Sequence, residues 1–313
     1  MSKYSYDESD VRIRPARSTR PRSKDRPSHD GAIFALVTTV DRGRTTCITD
    51  EAVIVTAMKA RELGPKSVVV GDRVKLVGDV SGTEGTLARI VAVEPRRNSL
   101  SRPVDDAAQV ERTIVANIDQ LVIVAAVTNP EPRRGLIDRF LVCAFHENIK
   151  PYLLMTKTDL APLPDFVEEY RKLGVEILTS SSKAESHEED LARVRTVLLG
   201  KTSVLVGHSG VGKSTFINAI QPELNLKTGE ISDVHLKGKH TTTFTELFEL
   251  KDGGFIIDSP GIKELGLVEM KPEEVGHYFP EIREVMNDCK FNNCKHENEP
   301  HCAVLKAVEE GKI

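Results

Sequence analysis

The octapeptide Gly207-His208-Ser209-Gly210-Val211-Gly212-Lys213-Ser214 constrains this chain more than any other stretch. It fits G-x-x-x-x-G-K-[ST], a glycine-rich turn whose backbone N–H groups cradle phosphates. Thr202–Val206 before it reads as a buried strand, and residues 215–220 after it read as a helix start. Strand, loop and helix in that order aim N–H groups and the positive helix end at phosphate oxygens. The expected nucleotide contacts run through Gly207, His208, Ser209, Gly210, Val211, Gly212, Lys213, Ser214 and Thr215. Lys213 is expected on the β and γ phosphates, and Ser214 on Mg²⁺.

The surrounding chain sorts into segments. With 313 residues there is room for two or three domains. A net charge of −4 excludes a uniformly basic nucleic-acid binder, so the distribution of charge matters more than its sum. Residues 1–30 read as a disordered basic tail. Seven cations stand between Val11 and Pro27 (Arg12, Arg14, Arg17, Arg20, Arg22, Lys24 and Arg26), opposed only by Asp25. Such a tail suits RNA phosphates. Residues 31–95 read as short strands at 32–40, 45–49, 52–57, 67–70, 73–77 and 86–93, cut by turn signals. That pattern fits an OB-like barrel, with an SH3-like barrel as the alternative. Arg42, Arg44, Lys59, Arg61, Lys66, Arg73 and Lys75 can give it a basic face.

Residues 96–117 read as a basic, proline-bounded linker, and residues 118–268 alternate strand and helix. Strands are expected at 119–127, 151–155 and 175–179, with helices at 135–148, 165–173 (Asp165 as N-cap) and 188–199. A hairpin is expected around Asp252-Gly253-Gly254. This is an α/β domain with a mostly parallel sheet covered on both faces. No apolar run approaches the roughly 20 residues of a membrane helix. The N-terminus has no secretory core, so a cytoplasmic, monomeric protein without membrane contact is expected.

A phosphate loop does not choose a base, but other segments do. Thr156-Lys157-Thr158-Asp159 closes an expected strand. The Asp159 carboxylate can accept from two guanine N–H groups, a pair that adenine lacks, while the Lys157 stem covers the purine face. Ser181-Ser182-Lys183 follows the next strand and can offer an N–H to guanine O6. Asp258-Ser259-Pro260-Gly261 can hold Mg²⁺ through water at Asp258 and meet a γ-phosphate at Gly261. Thr241, Thr242 or Thr243 can add a hydroxyl to Mg²⁺, with Thr242 the first choice. All these segments fall at or just beyond strand C-termini, the edge where open α/β sheets bind ligands. Near the C-terminus, Cys289, Cys294, His296 and Cys302 supply four soft ligands within 14 residues, suited to a closed tetrahedral zinc site. His301 lies close by as an alternative imidazole. Cys47 and Cys143 stand alone and read as packed small side chains.

The base-reading segments precede the phosphate loop, and the switch segments follow it. With a barrel in front and the Cys/His cluster behind, the arrangement resembles the RsgA (YjeQ) family of circularly permuted GTPases over residues 31–313. The resemblance implies a bacterial GTP hydrolase bound to the small ribosomal subunit and its rRNA late in subunit maturation. It implies GTP/GDP, Mg²⁺ and one structural Zn²⁺ as ligands, and it favours His296 over His301. Two positions depart from the commoner G-protein pattern: Thr156 replaces Asn and Ser182 replaces Ala. Ile262 stands where other GTPases carry a water-orienting glutamine, so intrinsic hydrolysis should be slow. His240 is the candidate catalytic group beside Lys213, because imidazole can orient water near neutral pH. The path from Gly261 through residues 262–268 is expected to carry γ-phosphate loss directly into a helical zinc module at 269–313. Two rival readings remain at this level: a nucleotide-gated RNA scaffold with incidental hydrolysis, and an ATP-using P-loop kinase.

Overall fold

A computed structural model describes residues 29, 31–41, 43–64, 67–103, 111–181, 187–226, 245–258, 265–266 and 270–313. Alternation of inward and outward side chains builds the first layer. Strands β1 (Ile33–Asp41), β2 (Arg44–Thr49), β3 (Ile54–Lys59), β4 (Arg73–Gly78) and β5 (Ala88–Val93) send Ala35, Val37, Cys47, Val55, Ala57, Val74, Leu76 and Ile90 into one core. Each larger aliphatic among these contributes about 1.5–3 kcal/mol by leaving water. The ladder order β1-β2-β3-β5-β4 returns to β1 through an antiparallel β1–β4 pairing, which closes the barrel. The expected strand at 67–70 does not form. Asp72 is fully buried there and captures the Val69 N–H at 2.8 Å, so a side chain holds this turn in place of a ladder.

The second layer is a parallel sheet whose strands are apolar on both faces. β8 (Gln120–Ala126), β9 (Lys150–Thr156), β10 (Glu176–Ser180), β11 (Thr202–Val206) and β13 (Phe255–Asp258) run parallel in the order β10-β9-β8-β11-β13. Leu121, Ile123 and Ala125 meet helices α1 (Arg134–His146) and α2 (Val167–Lys172) on one face. Val122, Val124 and Ala126 meet α3 (His187–Leu198) and α4 (Lys213–Ile220) on the other. α2 begins after Phe166 without a side-chain cap, so Asp165 is not the N-cap; its carbonyl instead accepts from Glu168 N. β12 (Glu246–Glu249) turns back antiparallel to β13 around the expected turn.

The segment expected as a linker contains a hairpin, β6 (Ser99–Pro103) with β7 (Glu111–Ala116). Ala116 N donates to Val70 O, and Asn117 Nδ2 donates to Gly71 O. Gly71 has φ +87°, and a Cβ there would lie 2.1 Å from Ala116 O, so only glycine fits this joint. Arg96 forks onto the buried Asp72 at 2.7 and 2.9 Å. Arg97 reaches Asp119, whose other oxygen accepts from Thr202 N. On another edge, Thr39 of β1 pairs with Glu246 of β12, so barrel and second layer form one 11-stranded sheet. Leu265 is buried in the α1 core, and Gly266 N donates to Ser101 O on the hairpin.

The chain ends in short helices α5 (Pro272–Val275), α6 (Pro280–Val285) and α7 (Ala303–Glu309) around a small core that includes Cys294 and Cys302. Among the described residues, no helix is long and apolar enough to cross a membrane.

Candidate nucleotide site and metal centre

The phosphate loop joins β11 to α4 as the sequence predicts. Gly207 has φ +149°, and a Cβ there would sit 2.2 Å from Val124 O; the loop can leave the sheet only as glycine. Gly212, at φ +94°, precedes α4 without a side-chain cap. The first N–H groups of the helix therefore face the loop's concavity. The Lys213 ammonium lies in that concavity, donating to Gly207 O at 2.8 Å and His208 O at 2.9 Å. Burial pulls its pKa below the usual lysine range, and the Asp258 carboxylate opposes the shift. His208 is partly exposed and bonds Ser209 O.

The base-reading segment meets this loop through Thr156. Its buried hydroxyl donates to Val211 O at 2.6 Å, with Ala125 O at 3.3 Å. Lys157 takes a left-handed backbone at φ +59°, and its ammonium bonds Asn129 O. Ser181 Oγ donates to Asp159 Oδ1 at 3.0 Å. Thr156, Asp159, Ser181, Val211, Lys213 and Asp258 thus gather along one rim, at or beyond the C-terminal ends of β9, β10, β11 and β13. Thr158, Ser209, Gly210, Ser214 and Thr215 belong to the same loops and the first turn of α4. Ser182, Lys183, Gly238, Lys239, His240, Thr241, Thr242, Thr243, Gly261 and Ile262 lie outside the described residues.

One neighbour of the site escaped the sequence reading. Glu246 is register partner to Asp258, so two carboxylates stand on adjacent strands beside the phosphate loop. Burial raises the Glu246 pKa, and the Asp258 charge raises it further. Counting outward from the Asp252-Gly254 turn pairs Glu249 with Phe255 and ends at Glu246 with Asp258, so a signal was available. Ser214 and Asp258 are the described oxygen donors that would hold Mg²⁺, a hard cation that prefers such ligands.

In the terminal module, the four donor atoms of Cys289, Cys294, His296 and Cys302 lie within 4.8 Å of one another. Zn–S bonds of about 2.3 Å put two thiolates of a tetrahedron about 3.8 Å apart. Cys289 Sγ and Cys302 Sγ are 3.9 Å apart, and His296 Nδ1 lies 3.6 and 3.4 Å from them. The donors therefore fit zinc, with Nδ1 as the imidazole ligand. His296 Nε2 is buried and has no hydrogen-bond partner among the described residues, which leaves the ring turned toward the sulfurs. His301 is exposed and outside the cluster. Burial works to raise the Cys289 thiol, but backbone N–H donation from Ala303 and Val304 carries it below the usual range. Cys47 and Cys143 differ: burial pushes each up to about 12, which suits packing and not nucleophilic chemistry.

Comparison with known proteins identifies relatives of the fold. A family model described as RsgA GTPase matches residues 93–268. The "Small ribosomal subunit biogenesis GTPase RsgA" of Christiangramia forsetii is 42% identical over 264 residues, covering 82% of each chain. The protein of the same description from Bacteroides fragilis is 41% identical over 252 residues, covering 79% of each. Among solved structures, YjeQ from Thermotoga maritima superposes with TM-score 0.66 at 29% identity, over 90% of this chain and 93% of that one. YloQ, described as a circularly permuted GTPase, gives 0.63 at 28% identity over 92% of both.

Proposed function

The chain belongs to the RsgA GTPase family, and from that membership we propose that it hydrolyses GTP during biogenesis of the small ribosomal subunit, with turnover stimulated by the subunit and coupled to release. The observation that carries this reading is the single rim on which Thr156, Asp159 and Ser181 meet the loop of Lys213. Asp159 and Ser181 would take the guanine edge, and the amides of Gly210–Ser214 with Lys213 would take the phosphates. A water attacks the γ-phosphorus, the bond to the bridging oxygen breaks, and GDP leaves with that electron pair. Lys213 and the loop amides stabilise charge on the transferred phosphoryl group. Ser214, Asp258 and Thr242 would hold Mg²⁺, which would supply neutralisation of phosphate charge. His240 is our candidate for orienting the water, and Thr241 and Gly261 for sensing the γ-phosphate.

One structural zinc at Cys289, Cys294, His296 and Cys302 would order the terminal module. The barrel and that module would contact rRNA, and the protein would act as a cytoplasmic monomer. The test is GTP turnover with small subunits, large subunits or neither. Stimulation by small subunits alone supports the reading, and equal rates in all three favour a nucleotide-gated scaffold. Asp159→Asn should weaken GTP and admit xanthine nucleotides. An enzyme indifferent to that change would not read guanine there.

A further inference from the structure

Among the described residues, two phenylalanines are more than a third exposed, Phe34 at 38% and Phe291 at 41%. Both lie under cations, but their settings differ. Arg73 and Lys75 stand 5.3 and 5.2 Å from the Phe34 ring centroid, and each is ion-paired, with Asp50 and Glu94 respectively. That patch satisfies its own charge. Phe291 sits on the loop between Cys289 and Cys294, where Lys290 Nζ is 5.7 Å from its centroid. Neither Lys290 nor Lys295 is in an ion pair among the described residues, and the 290–295 stretch contains no carboxylate. Glu299 has its oxygens turned to the backbone N–H groups of Lys295, Glu297 and Asn298.

The loop holds Phe291 outward. Its two ends are fixed by the cysteine cluster, and Cys294 N donates to Phe291 O at 3.2 Å, closing a tight turn. Lys290, Phe291, Asn292, Asn293 and Lys295 all face solvent as a result. A flat apolar ring, two ammonium groups and two amides on a rigid turn match a single-stranded nucleotide. The base stacks on the ring, the phosphates meet the cations, and the amides reach the base edge. We infer that the Cys289–Cys294 loop is an RNA-contact element in which Phe291 stacks against an unpaired base. This rests on the ribosomal reading above and adds the chemistry of one contact to it.

The chain has no tryptophan, so Phe291→Trp installs a single emitter at the contact. The probes are an unstructured oligoribonucleotide and small ribosomal subunits. Stacking predicts quenching of that emission by both. Phe291→Ala should weaken subunit binding about tenfold, the scale of one lost stacked base. Zinc content and turnover without subunits should match those of the parent protein. A blue shift without quenching would mean an apolar protein contact and overturn the assignment to RNA. Unchanged emission with subunits bound, or equal affinity of Phe291→Ala and parent, would overturn it too. If the parent protein itself fails to bind small subunits, the ribosomal reading falls, while the oligoribonucleotide arm still decides the stacking.

Discussion

Thr156 joins the two halves of the nucleotide site with one hydroxyl. By sequence, Thr156 is a departure from the commoner Asn. Its hydroxyl supplies a support, because it reaches Val211 O at 2.6 Å from a buried position. Removing it strands a buried carbonyl, at a cost of about 1–3 kcal/mol. Thr156→Val should therefore weaken GDP binding by roughly tenfold, as read by titration with a fluorescent GDP analogue; unchanged affinity would show that the two loops are held by other means. Glu246 gives a second test. Its pKa is raised by burial and then by Asp258, so the native state holds that proton more readily than the unfolded chain. Ionising it costs native stability above the usual carboxylate range, and that cost fades as pH falls. Glu246→Gln should melt above the parent at about pH 8 and lose the advantage toward about pH 4. A pH-independent difference in Tm would argue against this account.

At the scale of elements, the strands and helices of the nucleotide layer were legible because each apolar run fits one period. Residues 120–126 are buried on both faces, and α1 buries Ile137, Phe140, Leu141 and Ala144 at helical spacing, with Val142 and Cys143 buried as well. The joint between barrel and sheet was not legible. It rests on Asp72 with Arg96 and Asn117 with Gly71, pairs separated by 24 and 46 residues, and local pattern carries no trace of such partners. The hairpin β6–β7 hid for a related reason, since its prolines and arginines look like a connector until β7 finds Val70. The Cys/His cluster was legible, because donor chemistry and short spacing travel together in sequence. Gly71 tests the joint. At φ +87° and with Ala116 O in the way, Gly71→Ala should cost at least about 1–3 kcal/mol from backbone strain. Urea unfolding measures this, and a midpoint equal to that of the parent would mean that the joint yields freely.

For the whole molecule, residues 32–313 form one unit with separate apolar cores for barrel, sheet and terminal module. The terminal module has the smallest core, so the metal should decide its order. We expect one zinc per chain by elemental analysis. Chelation should abolish the module's protection in hydrogen exchange while GDP affinity stays within about twofold, because Cys294 and Cys302 pack in a core separate from those of the sheet. Loss of GDP binding on chelation would instead tie the metal to the sheet. Most of the path expected to carry γ-phosphate loss, residues 261–264 and 267–269, lies outside the described residues. Leu265 and Gly266 are fastened to α1 and the hairpin before the chain reaches Met270, and Tyr278 then bonds His146 Nδ1 at 2.8 Å. These contacts tie the described residues ahead of the Cys/His cluster to α1 and β6–β7.

The pairing of Thr39 with Glu246 has a mechanical consequence. β12 is flanked by the strand that ends in Asp258 and by the first strand of the barrel. It therefore couples the strand that ends in Asp258 to the barrel, as the short arm of a lever whose long arm would be the barrel itself. A slight rotation of β12 would then sweep through a wider arc at the barrel's outer rim than at the strand itself.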